Sequence, residues 1–480
     1  MLTVKGVAIH KPTPDLIEKA RFTYKGPYIA NKGRADAIED LARHIGDDIW
    51  YIPRGLVPYD PNIKIRLPLP KLTCPVPKPR PEFSAFPNQK IVIKDLWNNC
   101  FCHDWGGRTL VYTTGGGKTY VSLRLALFRN TPTCIIEPMK PLVLQTHKEI
   151  KRYTTCETIS TYASGLGKDY KPADNAYFTI MCIDSALKRP RAFFEQFGMV
   201  IFDEVHKYCQ HIRAKIFTLA ASRWMLAMTA SPDARSDKRD PVYKLMVGPI
   251  TVAEELPGFN HEEVVFHGTV YVIYYDTPDE YRGGLVEVKG NKSVTRTIAE
   301  RLLPDNRRCN MVLNWAEWMC SIPNMCIFIF GSRRDILTKA YHMAIKRESP
   351  HFHDITLMTS SSTKEEVQKA TETSNIIFAI ESIFDTGVSI AKQKGIIWLT
   401  PHRSGTKQRV GRITRRDGDP LQARIIVDVV DRGIYTFVDQ YKTRTEGRPC
   451  RHDEYIARGF TIVRADEAPP SIEKTELDEA

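Results

Sequence analysis

A few short stretches carry residue types that could handle a polyphosphate. Thr113, Thr114, Gly115, Gly116, Gly117, Lys118 and Thr119 follow an apolar run and precede a helical one. Glycines there let successive backbone N–H groups turn toward phosphate oxygens, and the helix start adds its positive dipole end. Lys118 would reach the terminal phosphates, and the Thr119 hydroxyl would ligate Mg²⁺. The full pattern asks for glycine at position 112, where Tyr112 stands, so only its phosphate-binding half is kept. In isolation the same residues would suit a Gly-rich surface turn.

Asp203 and Glu204 close the apolar run 199–202. A buried strand cannot hide two adjacent charges, so they must emerge at its tip, where Asp203 would hold the metal and Glu204 would orient and deprotonate a water. Thr229 and Ser231 end another apolar run and could sense a terminal phosphate, although Thr-Ala-Ser-Pro alone suits a turn with an N-cap. Gln89, at a helix start just after Phe86, could read an adenine edge with its paired donor and acceptor. Far downstream, Arg412 and Arg415 are three apart and share a helix face behind Gln408. A solvated basic face is the plain alternative, but a phosphate-handling first half needs positive charge from elsewhere.

The elements that must position these groups alternate. Short β-rich runs at 109–113, 134–137, 157–161, 177–183, 199–203 and 224–229 are separated by helical stretches, and the alternation resumes at 326–330, 355–358, 376–380, 396–400 and 424–430. That pattern predicts an α/β protein with two tandem open parallel sheets, each covered on both faces. Ligands on such sheets bind beyond the C-terminal strand ends, where the candidate residues fall. The second unit has no phosphate loop of its own.

Around these units the sequence divides into a small N-terminal module at 1–51, a Pro-rich linker at 52–87, a first lobe at 88–255, a connecting strap at 256–307, a second lobe at 308–445 and a partly disordered acidic tail at 446–480. The module predicts a strand at 4–9 and helices at 14–22 and 34–45, and the strap predicts a hairpin at 269–275. Proline at the density of 52–87 forces extended backbone, as in a stiff linker or wrapping arm, and both module and linker could dock protein partners. Of 480 residues, 42% are hydrophobic and 26% charged, and no apolar run approaches the roughly 20 residues of a membrane span. No signal-peptide pattern opens the chain and the cysteines suit a reducing compartment, so an intracellular, soluble protein is expected. Lys and Arg exceed Asp and Glu by 68 − 56 = 12, which points to a polyanionic partner.

The ordered set resembles the DExH-type superfamily-two helicases, most closely the xeroderma pigmentosum B-type DNA repair helicases and their relatives in large DNA viruses such as iridoviruses, poxviruses and asfarviruses. The resemblance covers about 86–435. Gln89 is similar to the adenine-reading glutamine, 114–119 to motif I, Pro138 to Gln145 to motif Ia, Asp203 to His206 to motif II and Thr229 to Pro232 to motif III. Phe330 to Ser332 resembles motif IV, Thr386 and Gly387 begin a motif V, and Gln408 to Arg415 resembles motif VI. Glu381 stands where motif V usually has threonine, and Ser389 where an aspartate is usual. The resemblance implies two RecA-like lobes holding ATP and Mg²⁺. Arg412 and Arg415 would insert from the second lobe, and His206, Thr229 and Ser231 would couple nucleotide state to movement. Nucleic acid, DNA rather than RNA, would be gripped near Pro138, Gln145, Ser332, Thr386 and Gly387.

Overall fold

The computed structural model describes the chain except residues 30–32, 114, 168–169, 231, 233–236, 262–267, 289, 360–361, 363–365, 367–369, 371, 381–392, 402–409, 411–412, 414–422, 435–436, 438–440, 443–449 and 471–480, and the side chains of 27–29 and 33–34. It divides into two units, Met1–Glu263 and Val264–Ala480.

The first unit is built on seven strands: β7 (Gly106–Val111), β8 (Thr133–Glu137), β9 (Ile159–Tyr162), β10 (Phe178–Cys182), β11 (Met199–Phe202), β12 (Trp224–Thr229) and β13 (Ile250–Val252). They lie in the order β13-β7-β12-β11-β8-β10-β9 with every pairing parallel. β8, β10, β11 and β12 are buried along their whole length, which is why they read as continuous apolar runs rather than alternating ones. Helices α2 (Pro87–Leu96), α3 (Lys118–Arg129) and α4 (Lys140–Tyr153) cover the sheet and feed its strand ends.

The second unit repeats the plan with β14 (Gly268–Tyr275), β15 (Ile327–Gly331), β16 (Ile355–Met358), β17 (Ile376–Ile380), β18 (Gly395–Trp398), β19 (Arg424–Asp431) and β20 (Phe460–Ala465), ordered β16-β17-β15-β18-β19-β14-β20 and again all parallel. Helices α5 (Asn306–Ser321) and α6 (Arg334–Lys346) pack on one face. On the other, α7 (Arg451–Ile456) sends Arg451 into the interior, where it forms a fork to Asp428 at 2.9 and 3.1 Å, joined by the Tyr455 hydroxyl at 2.8 Å.

Two expectations are corrected. The helix expected at 34–45 is instead strand: β3 (Arg21–Ile29) and β4 (Gly33–Asp40) form an antiparallel hairpin. Ala, Glu and Leu favour helix locally, but docking overrides that preference, with Lys25 N donating to Asp237 O at 2.8 Å and Glu39 paired with Arg239. The remaining module strands, β1 (Leu2–Thr3), β2 (Gly6–His10), β5 (Arg43–Gly46) and β6 (Ile49–Ile52), make a separate antiparallel sheet, and α1 (Pro14–Glu18) is one short turn. The expected hairpin at 269–275 is the single strand β14, held between β19 and β20 by partners far along the chain. Within the tail, α7 and β20 are regular elements, and 446–449 and 471–480 lie outside the described residues.

The Pro-rich segment wraps the first unit. Pro79 bridges to Thr154, Arg80 Nε donates to Lys151 O and Thr154 O at 3.1 Å, and the Tyr120 hydroxyl donates to Phe83 O at 2.9 Å. Arg54 is drawn fully inside. No described helix is long and apolar enough to cross a membrane.

Candidate active site

β7 delivers the chain into Tyr112, whose N–H donates to Thr229 O at 3.1 Å and whose ring is buried edge-on to Phe259. That ring lies against the next turn so closely that a Cβ on Gly116 would sit 2.5 Å from it. Gly115 and Gly117 have φ of +88° and +89°, where side chains are strained, and a Cβ on Gly117 would stand 2.2 Å from Gln89 Nε2. The glycine turn is therefore walled by Tyr112 on one side and Gln89 on the other. Its N-terminal end is tied by Glu254, whose carboxylate accepts from Thr113 N at 2.8 Å.

Gln89 is nearly buried. Its Nε2 donates to Gly116 O and its Oε1 accepts from Phe86 N, each at 3.1 Å. The amide thus props the loop and the start of α2. Beside it, Asn88 holds the backbone of Asn260 in both directions, at 2.7 and 2.8 Å.

Lys118 opens α3 and its Nζ donates to Tyr112 O at 3.1 Å. Thr119 follows in the first turn, which carries no acidic residue, so the positive end of the helix faces the loop uncompensated. Two strands away, β11 ends in Asp203 and Glu204. Oδ1 of Asp203 and Oε2 of Glu204 are shielded from solvent and make no hydrogen bond among the described residues. Burial first, and then the Glu204 charge, push the Asp203 carboxyl up to about 7, while the Lys118 ammonium opposes them. Glu204 itself has φ of +45°, a strained conformation of the kind found at functional sites. His206 Nδ1 lies 3.5 Å from Glu204 Oε2 and 3.0 Å from Thr229 Oγ1, so β11 and the intervening β12 are joined at their tips.

Shielded carboxylates, an ammonium nearby and a glycine turn at a bare helix start make a donor set that fits Mg²⁺ and a nucleoside triphosphate. The structure brings Gln89, Gly115, Gly116, Gly117, Lys118, Thr119, Asp203, Glu204, His206 and Thr229 to one edge of the first sheet. Pro138 follows β8 at the same edge, and Gln145 on α4 donates to Glu149 at 2.7 Å. Ser332 belongs to the second unit, at the end of β15, its N–H donating to Thr400 Oγ1 at 2.9 Å. Thr114, Ser231, Thr386, Gly387, Gln408, Arg412 and Arg415 lie outside the described residues.

Sequence reasoning missed Glu137, the last residue of β8. It is 1% exposed, accepts from Thr146 Oγ1 at 2.6 Å through Oε1, and leaves Oε2 shielded without a partner. Burial and then the Asp203 charge hold its carboxyl well above the usual carboxylate range. The available signal was a lone carboxylate closing the otherwise apolar run 133–137 directly before a proline.

Two tandem parallel-sheet lobes, the first with a phosphate loop and a carboxylate pair at nearby strand ends, define a RecA-like helicase architecture. The solved helicase domain of Pyrococcus furiosus Hef is similar in fold, with a TM-score of 0.50 at 14% identity over 74% of this chain and 98% of that one. Saccharomyces cerevisiae Dbp5, solved bound to RNA and ADP BeF3, gives 0.50 at 12% over 80% and 95%. Residues 82–234 match the family model described as Type III restriction enzyme, res subunit. A protein of African swine fever virus, named for ATP-dependent RNA helicase activity, is 26% identical over 368 residues, 73% of this chain and 69% of the relative. The DNA 3'-5' translocase XPB2 of Sulfurisphaera tokodaii is 32% identical over 152 residues, 31% of this chain and 33% of that protein. Over part of its length the chain is thus similar to proteins named as helicases and as a translocase.

Proposed function

We propose that this protein is an ATP-dependent DNA translocase or helicase of the xeroderma pigmentosum B-like, large-DNA-virus branch, acting in viral DNA repair, recombination or transcription. The observation that carries the reading is the pair of shielded carboxylates, Asp203 and Glu204, at the sheet edge that bears Lys118. Thr119 and Asp203 would hold Mg²⁺, which when bound supplies positive charge to the β- and γ-phosphate oxygens. Lys118 exchanges the Tyr112 carbonyl for phosphate oxygens. Glu204 orients the attacking water and accepts its proton, and the backbone N–H groups of 115–119 cradle the phosphates. Arg412 and Arg415 are assigned the transition-state charge, a contribution worth about 10³ to 10⁵ in rate in related motors. His206 and Thr229 pass the state of the phosphate site between strands. Pro138, Gln145, Ser332, Thr386 and Gly387 are assigned to sequence-independent contacts with the strand.

A second reading, an RNA helicase, is favoured by the name of the viral relative that aligns with 73% of the chain. Both are tested by ATP turnover with single-stranded DNA, duplex DNA or RNA, for the native protein and Glu204→Gln. DNA-stimulated turnover that falls about 100-fold or more in the variant is expected. Equal turnover in the two proteins removes the catalytic assignment, and stimulation by RNA alone replaces DNA with RNA.

A further inference from the structure

At one edge of the second sheet a cavity of about 570 Å³ opens where three neighbouring strands finish. Tyr274 is the penultimate residue of β14, Arg464 the penultimate residue of β20, and Arg432 follows the end of β19. Lys442, Tyr441 and His452 complete the wall. The Arg432 and Arg464 guanidiniums each stand 5.4 Å from the centre of the Tyr274 ring, and the Lys442 ammonium stands 5.8 Å from it.

These three cations have no ion pair among the described residues. Among the described residues lining the cavity none is acidic, and Asp428 and Asp431 of β19 are engaged by Arg451 and Arg308. At an exposed site one ring attracts each cation only weakly, while three like charges around it repel one another. A site that concentrates positive charge without carboxylates is stabilised by an anion. Two guanidinium forks beside an ammonium match the oxygens of a phosphate.

We propose that this cavity is a phosphate-binding site separate from the glycine turn, and that it takes the phosphodiester backbone of a nucleic-acid strand. The chemistry of the wall favours a backbone over a free nucleotide. Among the described residues its lining has no glycine turn to cradle a polyphosphate and no carboxylate for a metal, and the Tyr274 ring that could stack a base already has cations over it. The site reads charge rather than sequence, as a contact to a sliding strand must. The inference rests on the nucleic-acid part of the proposed function and is independent of ATP hydrolysis.

Fluorescence anisotropy of the full chain with a labelled mixed-sequence single strand, without ATP and across a salt series, tests it. The double variant Arg432→Ala/Arg464→Ala should bind about tenfold more weakly, and its salt dependence should flatten by about 1.4, roughly 0.7 per lost contact. Arg432→Lys/Arg464→Lys should keep most of the slope, and Lys442→Ala, at an exposed position, should lose about half as much slope as the double variant. Affinity and slope unchanged in both alanine variants overturn the proposal. Competition in a Lys118→Ala background separates the sources of phosphate. Displacement of the strand by millimolar mononucleotide makes the cavity a nucleotide site and overturns the strand assignment, whereas displacement only by unlabelled strand supports it. A native protein that binds through this cavity yet hydrolyses no ATP keeps this inference and loses the ATPase reading.

Discussion

His206 Nδ1 and Thr229 Oγ1 meet at 3.0 Å in a buried contact between the tips of two neighbouring strands, one carrying the carboxylate pair and the other running back beside the phosphate loop. The same nitrogen lies 3.5 Å from Glu204 Oε2. A change in Glu204 can thus reach β12 through one imidazole. Thr229→Val keeps the volume and removes the hydroxyl. Its ATP turnover should stay within about threefold of the native value while strand displacement per ATP drops about tenfold, a coupling loss of ordinary size. Parallel loss of both activities would make Thr229 part of the hydrolytic machinery instead.

Tyr112 occupies the place of a glycine in the full phosphate-loop pattern, yet its ring is buried against Gly116 and its carbonyl accepts from Lys118. The residue is therefore a wall of the loop. Tyr112→Ala should destabilise the chain by roughly 3–5 kcal/mol, as for other buried aromatic deletions. Tyr112→Gly, which restores the pattern, should bind ATP more weakly than the native protein. Tighter binding by the glycine variant, measured by calorimetry, would show that the ring obstructs the loop.

Arg54 anchors the Pro-rich arm, donating to Ser222 O and Gly106 O at 2.7 Å and to Arg223 O at 2.8 Å. Burial lowers its pKa to about 10, which still leaves it charged at neutral pH. Arg54→Ala takes a buried donor from Ser222 O and Gly106 O, while Arg223 O keeps the Gly106 N–H, and should cost about 3 kcal/mol in thermal or denaturant unfolding. Arg54→Lys should recover only part of that, because an ammonium lacks the planar fork that spans them. Full recovery by lysine would reduce the contact to charge alone.

Burial and the Glu204 charge hold the Asp203 carboxyl at about 7, above its ordinary value of 3.8. Between those limits the unfolded chain gives up its proton first, so the stability present below pH 4 is lost as pH rises toward 7. Asp203→Asn has no proton to lose. With chelator present, its melting temperature relative to the native protein should rise steadily from pH 4 to 7. A difference independent of pH would mean that the carboxylate is solvated.

The sequence alone determined what depends on contiguous residues. Fully buried parallel strands need unbroken apolar runs, so Thr133–Glu137, Phe178–Cys182, Met199–Phe202 and Trp224–Thr229 were visible to within a residue or so. The glycine turn was legible from the backbone freedom it requires, and the carboxylate pair from the impossibility of burying both charges. Tertiary structure decided what depends on partners distant along the chain. The hairpin Arg21–Asp40 overrides its local helical preference through contacts with Asp237 and Arg239, and β14 lies between β19 and β20, strands that begin more than 150 residues later. Glu137 gained its place behind Asp203, Gln89 its hold on Gly116, and Tyr274 its three cations only when separate segments met. Local pattern records which groups must be buried or left free to turn; the partner each one finds is set by long-range packing, which no neighbouring residue encodes.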